Sequence, residues 1–139
     1  MKDYFDKEIK TDKKVISAIS KDDFLIYLKK NNIRNIDNVP YNEIVRNACR
    51  YGVMYMLMAL GKKNRALLNE ISIAEGYVGM NWHCWLVTYS YYIDLTLCQF
   101  DSKFPDLFII KRSDAKKQQI LTHKKLYTVR EWFEWEESH

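Results

Sequence analysis

The segment GVMYMLMAL, residues 52–60, contains no charged side chain and would be apolar on every face of a helix. Together with the residues before it, this segment forms the strongest helix signal of the chain, from about residue 42 to residue 60. Gly61 is placed to end that helix. A helix without a polar face is buried on all sides. We therefore expect residues 54–60 to lie at the centre of the domain, covered by a sheet and by other chain.

Four segments after this helix have the composition of β-strands, because they are short and rich in β-branched and aromatic residues. They are ISIAEGYV (71–78), HCWLVTY (83–89), YYIDLTLCQF (91–100) and DLFIIK (106–111). The joint between the second and third is so short that these two should form a hairpin. Helices followed by antiparallel strands predict an α+β fold rather than an α/β fold.

The segments on either side of this core predict further, shorter helices. Ser20 reads as the N-cap of a surface helix over residues 21–31, and residues 1–19 fit either a helix or an edge strand. Thr128 and Glu131 form a capping box, which predicts a short C-terminal helix. We expect one domain of 139 residues. It would have a helical extension over about 1–40, a core over about 41–111, and a basic segment with a short helix over about 112–139.

Composition excludes several classes of protein. The apolar content of 47% and the aromatic content of 14% exclude a disordered chain. No run approaches the ~20 apolar residues that cross a bilayer, and the N-terminal MKDYFDKEIKTDKK has no apolar core like that of a signal peptide. We therefore expect a protein that does not contact membranes and that is cytoplasmic or is exported by a route that needs no such signal.

The chain has three cysteines, and an odd number argues against a disulfide framework. It contains no CxxC pair, so a structural zinc site is not expected. We expect neither a metal nor another cofactor. The oligomeric state is left open. The C-terminal third is basic, but a net charge of +4 is small for a nucleic-acid binder. Nucleic acid is the less favoured partner, and would need Tyr127, Trp132 and Trp135 as stacking platforms.

Three residues have the types and the order that thiol catalysis requires. A thiolate nucleophile needs a base within hydrogen-bond reach and a third group that orients the base. Cys49 would lie in the first turn of the long helix if that helix begins near Asn47, where unpaired amides lower the pKa of a thiol. His83 and Asp94 lie on the two strands of the predicted hairpin. Asp94 is also the only charge between Glu75 and Asp101, so it should have a partner.

The segments NACRYGVMYMLMALG, EGYVGMNWHCWLV and YYIDLTLCQF resemble the core of transglutaminase-like and papain-like thiol enzymes over roughly residues 42–111. In those families a Cys opens a central helix, and a His and an Asp follow on successive strands. The resemblance implies a papain-like core with Cys49 as nucleophile, His83 as general base and acid, and Asp94 as the residue that orients His83. The chain departs from these families at Ala48, where full transglutaminases have a Trp, and it lacks the glycine-rich surround of arylamine acetyltransferases.

Two further residues are weaker site candidates. Trp85 shares the face of His83 and would contact substrate or shield the imidazole, whereas Gln99 would donate to an oxyanion or make a contact at the sheet edge. Cys84 and Cys98 are interpreted as core residues. The resulting prediction is an enzyme that transfers acyl groups from a protein or peptide amide, as a thiol protease, deamidase or transglutaminase-like protein. The alternative is a non-catalytic interaction module that retains the fold, such as a mobile-element or host-interaction factor.

Overall fold

A computed structural model of the chain describes residues 2–138, with side chains from residue 5 onward. This part contains six α-helices and five strands. The helices are α1 (Lys2–Ala18), α2 (Lys21–Lys30), α3 (Tyr41–Ile44), α4 (Cys49–Lys63), α5 (Arg112–Gln118) and α6 (Val129–Ser138). The strands are β1 (Ser72–Val78), β2 (Asn81–Val87), β3 (Tyr91–Asp94), β4 (Phe108–Lys111) and β5 (Thr122–Tyr127). Short 3-10 turns cover Arg65–Asn69 and Leu97–Gln99.

The strands form one antiparallel sheet in the order β4-β3-β2-β1-β5. The predicted hairpin between the second and third predicted strands is confirmed, since Leu86 pairs with Ile93 and Val87 with Tyr92. The α+β class is therefore confirmed. None of the helices within residues 2–138 has the length and apolar content that crossing a bilayer requires.

The sheet is covered on both faces, because the residues of its central strands alternate between two apolar clusters. Leu86 and Ile93 pack with α1, α2 and α4 on one face. Trp85 and Tyr92 pack on the other face against residues of α5 and the segment that follows it. Val15 of α1 is fully buried in the first cluster. The predicted N-terminal extension is thus part of the core.

Helix α4 is central, as predicted, but it is not buried on every side. Met56 and Leu60 have exposed fractions of 1% and 0%, whereas Met58 is 43% exposed and Tyr51 is 39% exposed. The prediction that all of residues 54–60 are buried is therefore wrong at Met58. The sheet, α1 and α2 do not cover every apolar side chain of α4, so one narrow edge of the helix faces solvent.

The long helix expected from about residue 42 is interrupted. Tyr41–Ile44 forms the short α3, and α4 begins only at Cys49. Between them Asn47 has a φ of 54°, a left-handed conformation that Asn adopts more readily than most residues. At the other end α4 continues past Gly61 to Lys63. Asn64 ends it there, because its extended backbone leaves the helix while its side chain caps the following turn.

The third strand is shorter than predicted. It ends at Asp94, because the Asp94 carboxylate accepts a hydrogen bond from the backbone N–H of Thr96 and turns the chain away from the sheet. The chain then enters the 3-10 turn at Leu97–Gln99.

Two elements of the C-terminal third are missing from the sequence interpretation. Helix α5 and strand β5 lie where only a basic segment is expected. Strand β5 is an edge strand of sequence THKKLY whose first five residues are exposed. It therefore lacks the apolar alternation by which strands are recognised, and its lysines are typical of a protected sheet edge. The predicted capping box of α6 is confirmed by reciprocal hydrogen bonds between Thr128 and Glu131.

Candidate active site

Cys49 is the first residue of α4, a position that lowers the pKa of a thiol. Ala48 is the N-cap, and no side chain makes a capping hydrogen bond there. The amides of a first helical turn have no partner within the helix, and the helix dipole adds positive potential there. Without a capping side chain, these groups are left to stabilise an anion close to the Cys49 sulfur.

Gln99 holds the turn that precedes Cys49. Its Oε1 accepts a hydrogen bond of 2.8 Å from the backbone N–H of Asn47. Because that partner is a donor, the amide orientation follows: Oε1 faces Asn47 and Nε2 points away from it. The sequence interpretation put Gln99 near the site only as a weak candidate, and the structure brings its side chain to within two residues of the nucleophile candidate.

His83 and Asp94 form the predicted pair. Nε2 of His83 donates to Oδ2 of Asp94 at 2.6 Å, and the two residues are 0% and 2% exposed. The other carboxylate oxygen of Asp94 accepts from the backbone N–H of Thr96 at 2.8 Å and from its hydroxyl at 3.2 Å. The buried carboxylate is therefore fully engaged and holds the imidazole in one orientation.

The remaining nitrogen of His83 has no such partner. Nδ1 is buried and forms no regular hydrogen bond to any residue that the structure describes. The ring itself is fixed by Trp85, with ring centres 5.9 Å apart, and by Phe100, with centres 5.1 Å apart. A histidine whose Nε2 is bound to a carboxylate and whose Nδ1 is unoccupied can exchange a proton at Nδ1 alone.

Cys49 lies beside this ring, although the pair falls short of regular hydrogen-bond geometry. Interaction with the Cys84 thiol lowers the pKa of Cys49, burial opposes this change, and the imidazolium of His83 lowers the pKa further, to about 5. For His83, burial disfavours the charged ring, but the Asp94 carboxylate and Cys49 outweigh it and raise its pKa to about 10. Between these two values the site holds a thiolate and an imidazolium.

Cys84 is a member of the site that the sequence interpretation assigns only to the core. It is buried in the same apolar cluster as Cys49, and burial together with its interaction with Cys49 raises its pKa. Cys84 shares its face of β2 with Leu86, and α4 packs on this face. His83 belongs to the other face, at the end of β2 that β3 does not cover, because β2 pairs with β3 only at Leu86 and Val87.

The other candidates lie apart from the reacting atoms. Trp85 is 0% exposed, so in this conformation it shields the imidazole and does not reach solvent. Cys98 is 1% exposed, and burial raises its pKa to about 11. No group of three or more His, Cys, Asp or Glu side chains within the described part of the chain has the geometry of a metal site.

The aromatic residues proposed as nucleic-acid stacking platforms are mostly inaccessible. Tyr127 is 5% exposed and Trp132 is 0% exposed. Trp135 stacks on Trp132 with ring centres 5.0 Å apart and lies under the guanidinium of Arg50, 4.8 Å from its ring centre. Arg50 also forms an ion pair with Glu136, so helix α6 is attached directly beside Cys49. These rings stabilise the fold and are not free to stack on bases.

Comparison with known proteins identifies no relative, since no protein-family model, curated protein or solved structure matches the chain.

Proposed function

We propose that the protein is a cysteine-dependent acyl-transfer enzyme that acts on a protein or peptide amide, with Cys49 as nucleophile, His83 as proton carrier and Asp94 as its positioning residue. The observation that carries this proposal is the environment of His83. Its Nε2 is bound to Asp94 at 2.6 Å, its buried Nδ1 has no regular partner among the described residues, and Cys49 with its lowered pKa lies beside it.

The first half of the reaction would consume the amide. The Cys49 thiolate attacks the carbonyl carbon, and the electron pair of the C=O bond moves to oxygen to give a tetrahedral oxyanion. When the oxyanion collapses, the C–N bond breaks and Nδ1 of the His83 imidazolium gives its proton to the leaving nitrogen. The products are a free amine and a thioester on Cys49, with His83 neutral.

The second half would restore the enzyme. Neutral His83 takes a proton from water, and the resulting hydroxide attacks the thioester carbonyl. Collapse of the second tetrahedral intermediate breaks the C–S bond, which releases a carboxylic acid and returns the thiolate and imidazolium pair. If an amine replaces water, the same steps form a new amide. The site therefore supports hydrolysis and acyl transfer with the same residues.

Two groups would stabilise the oxyanion in this reaction. The first is the set of backbone amides in the uncapped first turn of α4, next to the Cys49 sulfur. The second is Nε2 of Gln99, since Oε1 of that side chain is occupied by Asn47. Preorganised donors of this kind are typically the largest electrostatic contribution to acyl transfer.

A second candidate function is the interaction module without catalysis. The observation in its favour is the burial of the site: Cys49 is 7% exposed, and His83 and Asp94 are more deeply buried. A bulky substrate would need a local opening around Cys49 to reach the thiolate. The two candidates differ in chemistry, because the interaction module requires no acyl intermediate.

The test is to trap that intermediate. The purified chain is mixed with p-nitrophenyl acetate, an activated acyl donor, and release of p-nitrophenolate and the mass of the protein are followed together. The enzyme is expected to show a burst of p-nitrophenolate and one acetyl group on the peptide containing Cys49, and Cys49→Ala to show neither. His83→Ala should slow the burst by about 100-fold or more. A wild-type protein that is acetylated only on lysines would contradict the proposal and favour the interaction module.

Once acylation is established, a library of peptide amides identifies the natural bond type. Release of ammonia would indicate a deamidase, a new amino terminus would indicate a protease, and incorporation of an added amine would indicate transfer. Cys49→Ala serves as the control in each assay, because it removes the nucleophile.

A further inference from the structure

A cleft lies on the face of the sheet opposite to α4. It is bounded by α5 and by the segment that leads into β5, and it has a volume of about 940 Å³. Tyr92, Ala115 and Leu121 form its floor, and all three belong to the apolar cluster of that face. None of the residues proposed for catalysis lines this cleft, so it is a separate feature of the molecule.

The walls of this cleft carry positive charge without any negative charge. Arg112, Lys116 and Lys124 line it, and no Asp or Glu does. Arg112, Lys116 and Lys124 form no ion pair with a carboxylate of the described residues. Residues 111–125 contain six Lys or Arg and one Asp, a net charge of +5 by this count, in a chain whose total is +4. The positive charge of the whole protein is thus concentrated around this cleft.

Arg112 is held in place by neutral groups. Its guanidinium lies 3.4 Å and 3.3 Å from the carbonyl oxygens of Thr88 and Tyr89, and 5.8 Å from the ring centre of Tyr92. These contacts fix the position of the side chain but leave its charge unbalanced. A fixed guanidinium with free N–H donors is the side chain best suited to bind phosphate oxygens.

The backbone at the other end of α5 from Arg112 has two residues in the left-handed conformation. Gln119 has a φ of 56° and Leu121 a φ of 57°, and both residues line the cleft. A left-handed conformation is unusual for a bulky residue such as Leu. Backbone strain of this kind is concentrated at binding sites, where the surrounding structure maintains it.

We propose that this cleft binds a small molecule carrying two or more linked phosphates, such as a nucleoside diphosphate or triphosphate. The volume is within the range of about 300–1,000 Å³ typical of small-ligand sites. Arg112, Lys116 and Lys124 supply the charge for adjacent phosphates. The hydroxyls of Ser113 and Thr122 are additional donors in the lining.

The shape of the cleft and the small total charge favour a small ligand over a nucleic-acid strand. A strand-binding surface would track several consecutive phosphates and would need exposed rings on which bases stack. Tyr77 is the exposed aromatic residue of this cleft, with an exposed fraction of 43%. It can accommodate one ring system at the mouth of the cleft.

The experiment is isothermal titration calorimetry of the full chain with pyrophosphate, ATP and orthophosphate as probes, at about 50 mM and 200 mM salt. Pyrophosphate and ATP are expected to bind with Kd below about 1 mM at the lower salt concentration, and orthophosphate more weakly. Arg112→Gln should weaken the affinity for ATP by about tenfold or more. Arg65→Gln, at an exposed arginine outside the cleft, is the matched control and should bind like the wild type.

Arg112 also supports two backbone carbonyls, so circular dichroism is recorded for each variant. The double variant Lys116→Gln/Lys124→Gln changes only exposed side chains and decides the outcome if Arg112→Gln unfolds. The proposal is overturned if pyrophosphate and ATP do not bind at millimolar concentration, or if they bind the double variant as tightly as the wild type. Binding of a short single-stranded oligonucleotide without binding of ATP would also overturn it. Cys49→Ala should leave ATP binding unchanged, so this result is independent of the catalytic proposal.

Discussion

Nε2 of His83 lies 2.6 Å from Oδ2 of Asp94, although the two residues are not partners in the ladder of the sheet. Pairing of β2 with β3 stops at Leu86 and Ile93. Asp94 then bends towards Thr96, which donates two hydrogen bonds to it. The contact therefore depends on the strand ending where it does, since a continued strand would carry the carboxylate along the sheet.

Replacing Asp94 by Asn should destabilise the protein by about 3 kcal/mol near pH 7, because it removes the carboxylate that stabilises the buried imidazolium of His83. The pKa of His83 in the folded protein is raised from 6.5 to about 10. A raised pKa contributes stability that is fully present below pH 6.5 and is lost as the pH rises through 10. The difference between wild type and Asp94→Asn should therefore shrink between these pH values. Urea unfolding of both proteins at several pH values measures this difference in the free energy of unfolding.

Asp6→Asn, at an exposed position on α1, is the control for that series and should not differ from the wild type at any pH. The difference in free energy of unfolding between wild type and Asp94→Asn could instead stay constant from pH 6.5 to pH 10. That result would show that Asp94 does not raise the pKa of His83.

The three cysteines should react with iodoacetamide at very different rates at pH 6. The pKa of Cys49 is lowered to about 5, that of Cys98 is raised to about 11, and that of Cys84 is raised. Only the thiolate is alkylated, so Cys49 should be labelled about 100-fold faster than the other two. Exposure acts in the same direction, since Cys49 is 7% exposed and the others 1%. Peptide mass spectrometry after timed quenching measures each site.

His83→Ala should slow the labelling of Cys49 at pH 6 by about tenfold or more, because the imidazolium no longer stabilises the thiolate. Near pH 9 the rates of the variant and the wild type should converge. His123→Ala removes an exposed histidine instead and should have no effect. If Cys49 is labelled at the same rate in the two histidine variants at pH 6, His83 does not stabilise the Cys49 thiolate.

Gln99→Glu tests the proposed oxyanion donor. A carboxylate oxygen can still accept the hydrogen bond from Asn47, but the donor nitrogen is lost. We expect p-nitrophenolate release from p-nitrophenyl acetate to fall by about 100-fold. Alkylation of Cys49 by iodoacetamide at pH 8 should persist, since that reaction forms no oxyanion. If both reactions slow equally, Gln99 acts only by holding the turn before α4.

Met56 lies on the buried face of α4, and Met58 lies on its exposed edge. Met56→Ala should destabilise the protein by about 2–5 kcal/mol, because the side chain is 1% exposed and its removal leaves a cavity. Met58→Ala is the matched control at 43% exposure and should change the free energy of unfolding by less than about 0.5 kcal/mol. Chemical denaturation gives both values. A comparable loss for Met58→Ala would indicate that this edge is covered in solution.

The sequence by itself determines the features that depend on neighbours in the chain. The charge-free run at residues 52–60 predicts the central helix, although Met58 in that run is exposed. Ser20 and Thr128 cap helices through local hydrogen bonds, and the short joint after Val87 closes a hairpin. The order of Cys49, His83 and Asp94 can likewise be recognised from the amino-acid sequence, because each residue lies in a segment with a clear helix or strand pattern. For the caps, the hairpin and the helix, the interacting groups are a few residues apart or share one periodic pattern.

Only the tertiary structure decides where those elements stop and what they bring together. The long helix breaks at Asn47, whose backbone is bound by Gln99 from a distant turn. Cys84 joins the site because α4 packs on its face of β2, which brings the thiol against Cys49. The cationic cleft requires β5, an edge strand without apolar alternation, to pair with β1. Each of these outcomes rests on contacts between groups far apart in the chain, whose free energy exceeds the local preference of any single segment.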